Sequence, residues 1–262
     1  MPGTWQATPI EINGDCTDWP SPYPNYDAKS MVAYATSNDG ENLYITMQTG
    51  DPLTQIKILK QGMTVSVDTG GKKETPFNIN YPLQNQDDLS ELFSQGDDRT
   101  NKDGSRQLSR QFEQKMRKST ESCNQFSVDG FGKCSGVYMI SQTISCGIRV
   151  HISIDEYKQL VWEAVIPFKA LYGRDQISAS FSGKPISVCY AVKGFKSPTA
   201  KGNAGTSPMS SPGMGSGGMG SGGRMNSTPM GPATSAPGNT NPMQRLYEST
   251  KTWKHFGIAV KP

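Results

Sequence analysis

Apolar and polar residues alternate with a period of two through most of the patterned stretches of the chain, the spacing that sends successive side chains to opposite faces of a strand. In MVAYATSNDGENLYITMQ, Leu43, Ile45 and Met47 point one way and Tyr44, Thr46 and Gln48 the other, with Asn38, Asp39 and Gly40 at a turn. That pattern predicts a β-hairpin. Met63, Val65 and Val67 alternate up to the turn DTGGKKE, and Ile148, Val150, Ile152 and Ile154 alternate with Arg149, His151, Ser153 and Asp155. The stretches KQLVWEAVIPF and KPISVCYAVKG complete the set. Two segments carry helical spacing instead. DPLTQIKILKQG places Leu53, Ile56 and Leu59 on one stripe with Gly62 as the C-terminal cap, and SRQLSRQFEQKMRK places Leu108, Phe112 and Met116 on one face of an amphipathic helix expected over a sheet edge.

Residues 197–243 are a tract of Gly, Ser, Pro and Met, after which YESTKTWKHFGIAV resumes as a strand. Phe256, Ile258 and Val260 need partner strands that only the chain before residue 196 can supply, so the tract reads as a disordered insertion within one folded unit spanning 1–262. The expected fold is therefore an all-β, antiparallel β-sandwich, jelly-roll or immunoglobulin-like, with one or two short peripheral helices and the insertion before its last strand. Six methionines of the tract, Met209, Met214, Met219, Met225, Met230 and Met243, are thioether donors that suit a soft ion such as Cu(I). Ordering so flexible a chain around an ion costs conformational entropy, and a solvated loop is the reading taken.

The formal net charge of +3 is too small to imply a nucleic-acid partner, and no apolar stretch approaches the roughly 18 residues of a transmembrane helix. MPGTWQATPIEING reads as linker plus first strand, with no secretory signal in the chain itself. Five cysteines, Cys16, Cys123, Cys134, Cys146 and Cys189, show no CxxC and no Cys/His ligand spacing, which argues against zinc. Cys123 and Cys134 flank NQFSVDGFGK and are the expected disulfide in an oxidising compartment; as free thiols they would be small buried hydrophobes.

The order of INGDCTDWP, SNDGENLYITMQTGD, QIKILKQG, a strand ending VDTGGKK, LVWEAVIPFKAL and TKTWKHFGIAV resembles the family 9 carbohydrate-binding-module-like (DOMON-like) β-sandwiches. It is similar in particular to secreted or lipid-anchored proteins of Bacteroidetes-type bacteria with a Gly/Met-rich insertion before the last strand. The resemblance covers nearly all of the chain outside the tract. It implies an antiparallel sandwich, export to a secreted, periplasmic or outer-membrane-anchored location, and, for some members, sugar binding; other DOMON-like domains hold haem between methionine and histidine.

Reactive constellations are sparse. Trp162 shares a strand face with Leu160, Ala164 and Ile166 and is expected in the core, whereas Glu163 faces the other way between Val161 and Val165, as a buried structural acceptor or a ligand contact. Asp155 and Glu156 occupy a turn, so the paired acids of a glycosidase are not supported. His151 and His255 sit on polar or edge positions, and no GxSxG, HExxH or phosphate loop is present. The chain is thus expected not to be an enzyme and to need no cofactor. Calcium is the one ion whose oxygen preference Asp15, Asp18 and Asp68 would meet, although Asx turns explain the same residues.

The positive sign of a binding function is in the hairpin. A near-symmetric register would set Tyr34 opposite Tyr44 on the non-core face with Thr46 and Gln48 alongside, flat aromatics beside neutral polar groups, as the CH face and hydroxyls of a sugar require. Tyr34, Tyr44 and Gln48 are therefore the expected ligand-binding residues, for an oligo- or polysaccharide. The competing readings are a structural or assembly protein with no small ligand and, more remotely, a haem-binding electron-transfer domain.

Overall fold

The alternating segments become eleven strands in a computed structural model, which describes residues 3–83, 113–196 and 242–261. These are β1 (Asn25–Asp27), β2 (Val32–Asn38), β3 (Asn42–Thr49), β4 (Met63–Asp68), β5 (Phe77–Tyr81), β6 (Gln125–Asp129), β7 (Gly136–Met139), β8 (Arg149–Ile154), β9 (Leu160–Pro167), β10 (Pro185–Val192) and β11 (Thr250–Gly257). Three helices join them: α1 (Pro52–Gln61), α2 (113–121) and α3 (Phe168–Tyr172). The pairings between these strands are all antiparallel, in a five-stranded sheet ordered β1-β2-β3-β9-β8 and a six-stranded sheet ordered β11-β10-β4-β5-β6-β7. The expected antiparallel β-sandwich is the fold.

Between the sheets lie the inward residues of the central strands, among them Leu43, Ile45, Met47, Val65, Val67, Trp162, Ile166 and Val188. Trp162 is fully buried, and its indole Nε1 donates to the Tyr81 carbonyl at 3.0 Å, so one side chain spans both sheets. α1 begins as its sequence requires, with Asp51 accepting from the Thr54 amide and Pro52 in the first turn, and ends at Gly62, whose φ of 77° a side chain would disfavour. The second expected helix is described only from residue 113, so Leu108 and Phe112 lie outside the described residues, as does the tract over 197–241. Within α2, Met116 is buried, and Arg117 donates to the Ile154 and Asp155 carbonyls at 3.0 and 2.9 Å, which sets the helix against the end of β8.

The hairpin register departs from the expected one. Tyr34 pairs with Met47, three residues beyond Tyr44, and Tyr44 pairs with Ser37. The cause is the turn, where Asp39 Oδ1 accepts from the amides of Glu41 and Asn42 at 2.7 and 2.6 Å and so leaves Asp39, Gly40 and Glu41 between the strand ends. A shift by an odd number of residues exchanges faces. Tyr34 thus belongs to the inner face and Tyr44 to the outer one.

That outer face is covered too. The chain before β1 crosses it, and Ile10, Trp19, Ala35, Tyr44 and Val165 form a second, smaller apolar cluster there. β9 is consequently buried on both faces, which explains why LVWEAVIP is almost continuously apolar. At the other end of the chain β11 pairs along its whole length with β10 and is the edge of the six-stranded sheet. Asn38, at the end of β2, ties the two sheets together: its Oδ1 accepts from the Ala259 amide at 3.0 Å and its Nδ2 donates to the Ala259 carbonyl at 2.9 Å.

Candidate functional site

The motifs INGDCTDW and VWEAVIP prove to be two halves of one joint. Glu163 is fully buried on the outer face of β9, between Thr46 of β3 and His151 of β8. Its Oε2 accepts from the Gly14 amide at 2.7 Å and its Oε1 from the Trp19 indole N–H at 2.7 Å, while Ser153 Oγ donates to the Gly14 carbonyl at 3.1 Å. Gly14 is required by space as well as by its φ of 83°, since a Cβ there would stand 2.4 Å from Ser153 Oγ. Burial pushes the Glu163 carboxyl above its ordinary value, against the pull of the Gly14, Trp19 and Asn13 bonds. The same burial lowers His151. With both carboxylate oxygens engaged inside the protein, this acid acts as a clasp for the N-terminal segment.

The trio Tyr34, Tyr44 and Gln48 is dispersed by the fold. Tyr44 is sealed beneath the N-terminal segment, 1% exposed, with its hydroxyl donating to Asp39 Oδ2 at 2.6 Å. Gln48 shares its outer face but is engaged with Asp155, to which its Nε2 donates at 3.1 Å. Tyr34 faces the other way, its ring 4.8 Å from that of Tyr190. The cross-strand aromatic patch expected from the sequence does not form, because register and N-terminal cover both oppose it.

The three aspartates do not converge either. Asp15 Oδ1 accepts from the Thr17 amide at 2.9 Å on the N-terminal segment, and Asp18 Oδ2 accepts from the Glu11 amide at 3.4 Å. Asp68 ends β4 in the other sheet, accepting from the Gly70 and Glu74 amides at 2.7 and 3.1 Å. These are turn-stabilising bonds. Cys123 and Cys134 are both buried free thiols; Cys123 Sγ donates to the Ser119 carbonyl at 3.1 Å, and Cys134 contacts Ser145 and Cys146 instead.

A groove of about 380 Å³ opens where the β1–β2 edge of one sheet meets β11, the edge of the other. Small-molecule sites span about 300–1,000 Å³, so it is large enough for a compact ligand. Its walls follow from strand register. Thr36 pairs with Ile45 and Asn25 with Tyr34, which puts both on the inner face of the five-stranded sheet. Lys254 pairs with Val188, a fully buried core residue, and so stands on the inner face of β11. Three positions that would seal the sandwich if apolar are thus polar, and the sheets stay parted beside Tyr34, Phe256 and the 59%-exposed Tyr26. Thr4 of the N-terminal segment and His255 also line it; the His255 Nδ1 lies 2.6 Å from Ser187 Oγ.

Electrostatically the groove is neutral to basic, for no carboxylate is among its lining residues and the Lys254 ammonium makes no ion pair among the described residues. Tyr190, stacked on Tyr34, carries a buried hydroxyl without a hydrogen-bond partner among the described residues. Of the residues expected from the sequence only Tyr34 belongs to this groove. Asn25, Thr36 and Lys254 were missed. The available signal was polarity at every second position of TKTWK, on the same strand face as Phe256 and Ile258, which reads as core throughout when the face is judged from its apolar end; Trp253 faces outward beneath Lys251, whose Nζ is 5.4 Å from its ring centroid.

No family model and no curated protein sequence matches the chain. Among solved structures, a carbohydrate-binding module of family 9 from Caldicellulosiruptor kristjanssonii, solved with cellotriose, is similar at 10% identity and a TM-score of 0.31, over 73% of this chain and 75% of that one.

Proposed function

We propose that the protein is an exported, non-catalytic binding module of the cell envelope, and that its ligand is an oligosaccharide held in the groove between β2 and β11. The observation that carries this reading is the set of inward-facing polar residues, Asn25, Thr36 and Lys254, beside Tyr34 at an open seam between the two sheet edges. A tyrosine edge or face suits the CH groups of a pyranose, hydroxyl and amide groups exchange hydrogen bonds with its hydroxyls, and an ammonium donates to hydroxyl or carboxylate oxygen. The groove offers no acid pair, and the hydroxyl that meets its imidazole, Ser187 Oγ against His255 Nδ1, belongs to a fully buried serine, so binding without turnover is the chemistry these residues support. Export rests on the likeness in motif order to secreted and lipid-anchored proteins.

Calorimetric titration with a panel of neutral and uronate-containing oligosaccharides tests the reading. At least one glycan is expected to bind the wild type, and Lys254→Ala is expected to weaken it about tenfold, the loss of roughly one charged hydrogen bond. Gln48→Ala, on the opposite face, should bind as the wild type does. A glycan bound equally by Lys254→Ala would move the site elsewhere. Absence of binding across the panel would favour the second reading, an assembly protein, for which the observation is the edge strand β7 with Val137 59% exposed and Ile140, just beyond it, 42% exposed.

A further inference from the structure

We propose that Cys134 and Cys146 form a reversible disulfide that fastens the outer edge strand β7 to the turn leading into β8. Cys134 ends the short turn Gly132–Cys134 with its thiol buried, and Cys146 is half-buried in the turn closed by the Gly147 amide on the Ile144 carbonyl at 2.9 Å. Cys134 Sγ lies 3.2 Å from the hydroxyl of Ser145, the neighbour of Cys146, which brings the two thiols to the same corner and within each other's influence. Tyr138, on the intervening strand, donates its hydroxyl to the Cys134 carbonyl at 2.9 Å and so holds this corner in place. The remaining cysteines are committed elsewhere: Cys123 to the Ser119 carbonyl, Cys189 fully buried in β10, and Cys16 on the N-terminal segment.

Closure would matter mechanically because β7 has a single strand partner, β6, over only four residues, and its outer edge is otherwise free to open among the described elements. The oxidant required is a low-molecular-weight disulfide. One protein thiolate attacks it and expels one small thiol, giving a mixed disulfide; the second protein thiol, losing its proton to solvent, attacks the protein sulfur and expels the other. Two protein thiols are oxidised by two electrons and one small disulfide is reduced to two thiols. Burial pushes both thiols up, yet hydrogen bonds from Cys146 and Ser145 more than offset this at Cys134, which lies below the ordinary thiol value, while Cys146 is pushed up to about 12.

The test uses the folded full chain, equilibrated with oxidised glutathione, alkylated and digested without reduction. A single cross-linked peptide joining Cys134 to Cys146 is expected, with a Tm several degrees above that of the reduced protein. The increment should vanish in Cys146→Ser and persist in Cys123→Ser. Recovery of both residues alkylated in the oxidised protein, or a Cys123–Cys134 cross-link, would overturn the assignment, and since the peptide map is made on the wild type it does not depend on any variant folding.

Discussion

Glu163→Leu is expected to lower the free energy of unfolding by about 2–4 kcal/mol. Leucine nearly fills the volume, so the loss isolates the hydrogen bonds: the Gly14 amide and the Trp19 indole N–H, both now received at 2.7 Å, would each face apolar carbon. A buried donor left unpaired costs about 1–3 kcal/mol, and the estimate sits below the upper sum because removing the carboxylate also relieves its desolvation. That relief is real, since burial holds the carboxyl above its ordinary 4.5. A group with a raised folded value contributes fully below the unfolded value and loses part of its contribution as pH rises through the folded one. The wild type should therefore hold its widest margin over Glu163→Leu in the acidic range. Urea titrations across pH check both the size and the slope; a variant within about 0.5 kcal/mol of wild type, the range of an ordinary surface substitution, would show that the N-terminal segment is held by its apolar contacts alone.

Truncation before Lys251 is expected to abolish cooperative folding altogether. β11 supplies an eight-residue ladder to β10, buries Phe256 within the core, and leads to Ile258, 2% exposed, and to the Ala259 backbone that Asn38 grips. Phe256 and Ile258 alone represent about 1.5–3 kcal/mol each. Asn38, 1% exposed, would keep an amide with neither of its Ala259 partners, and β10 would become an open edge, apolar apart from Ser187. Against the 5–15 kcal/mol that typically separates folded from unfolded chains, these losses leave little or nothing. Thermal denaturation followed by circular dichroism should show no sigmoidal transition. A cooperative transition in the truncated chain would mean that β11 only decorates a sheet already complete at β10.

The two predictions differ in how far they could be read from the sequence. The role of β11 was legible because a two-residue period needs a partner strand, and the placement of Trp162 in the core was legible because its strand neighbours on that face are Leu160, Ala164 and Ile166. The face of Glu163 followed by alternation, but its partners, 149 and 144 residues away in the chain, carry no local signal. The hairpin failed at one point only. Counting from a tight turn sets Tyr34 against Tyr44, whereas Asp39 caps a wider one and moves the partner to Met47; the faces of β3 stand as the alternation implied, and it is Tyr34, on the other strand of the hairpin, that the odd shift turns inward. The cysteines show the same limit, since the closeness of Cys123 and Cys134 along the chain says nothing of where the turns after β6 and before β8 bring Cys146. The groove was hidden twice over, by a register set at the turn and by the polar Lys254 on the same strand face as the apolar Phe256 and Ile258.

Ligand is expected to enter the seam between the sheet edges and not the covered outer face. Backbone amide chemical shifts of the folded chain, followed during titration with the tightest-binding oligosaccharide of the panel, test it most directly. The account predicts that saturable shifts concentrate at Asn25, Tyr34, Thr36 and Lys254 to Phe256 and leave Tyr44, Gln48 and Glu163 unmoved. Shifts centred on Gln48, Thr46 and the N-terminal segment over Glu163 would contradict it.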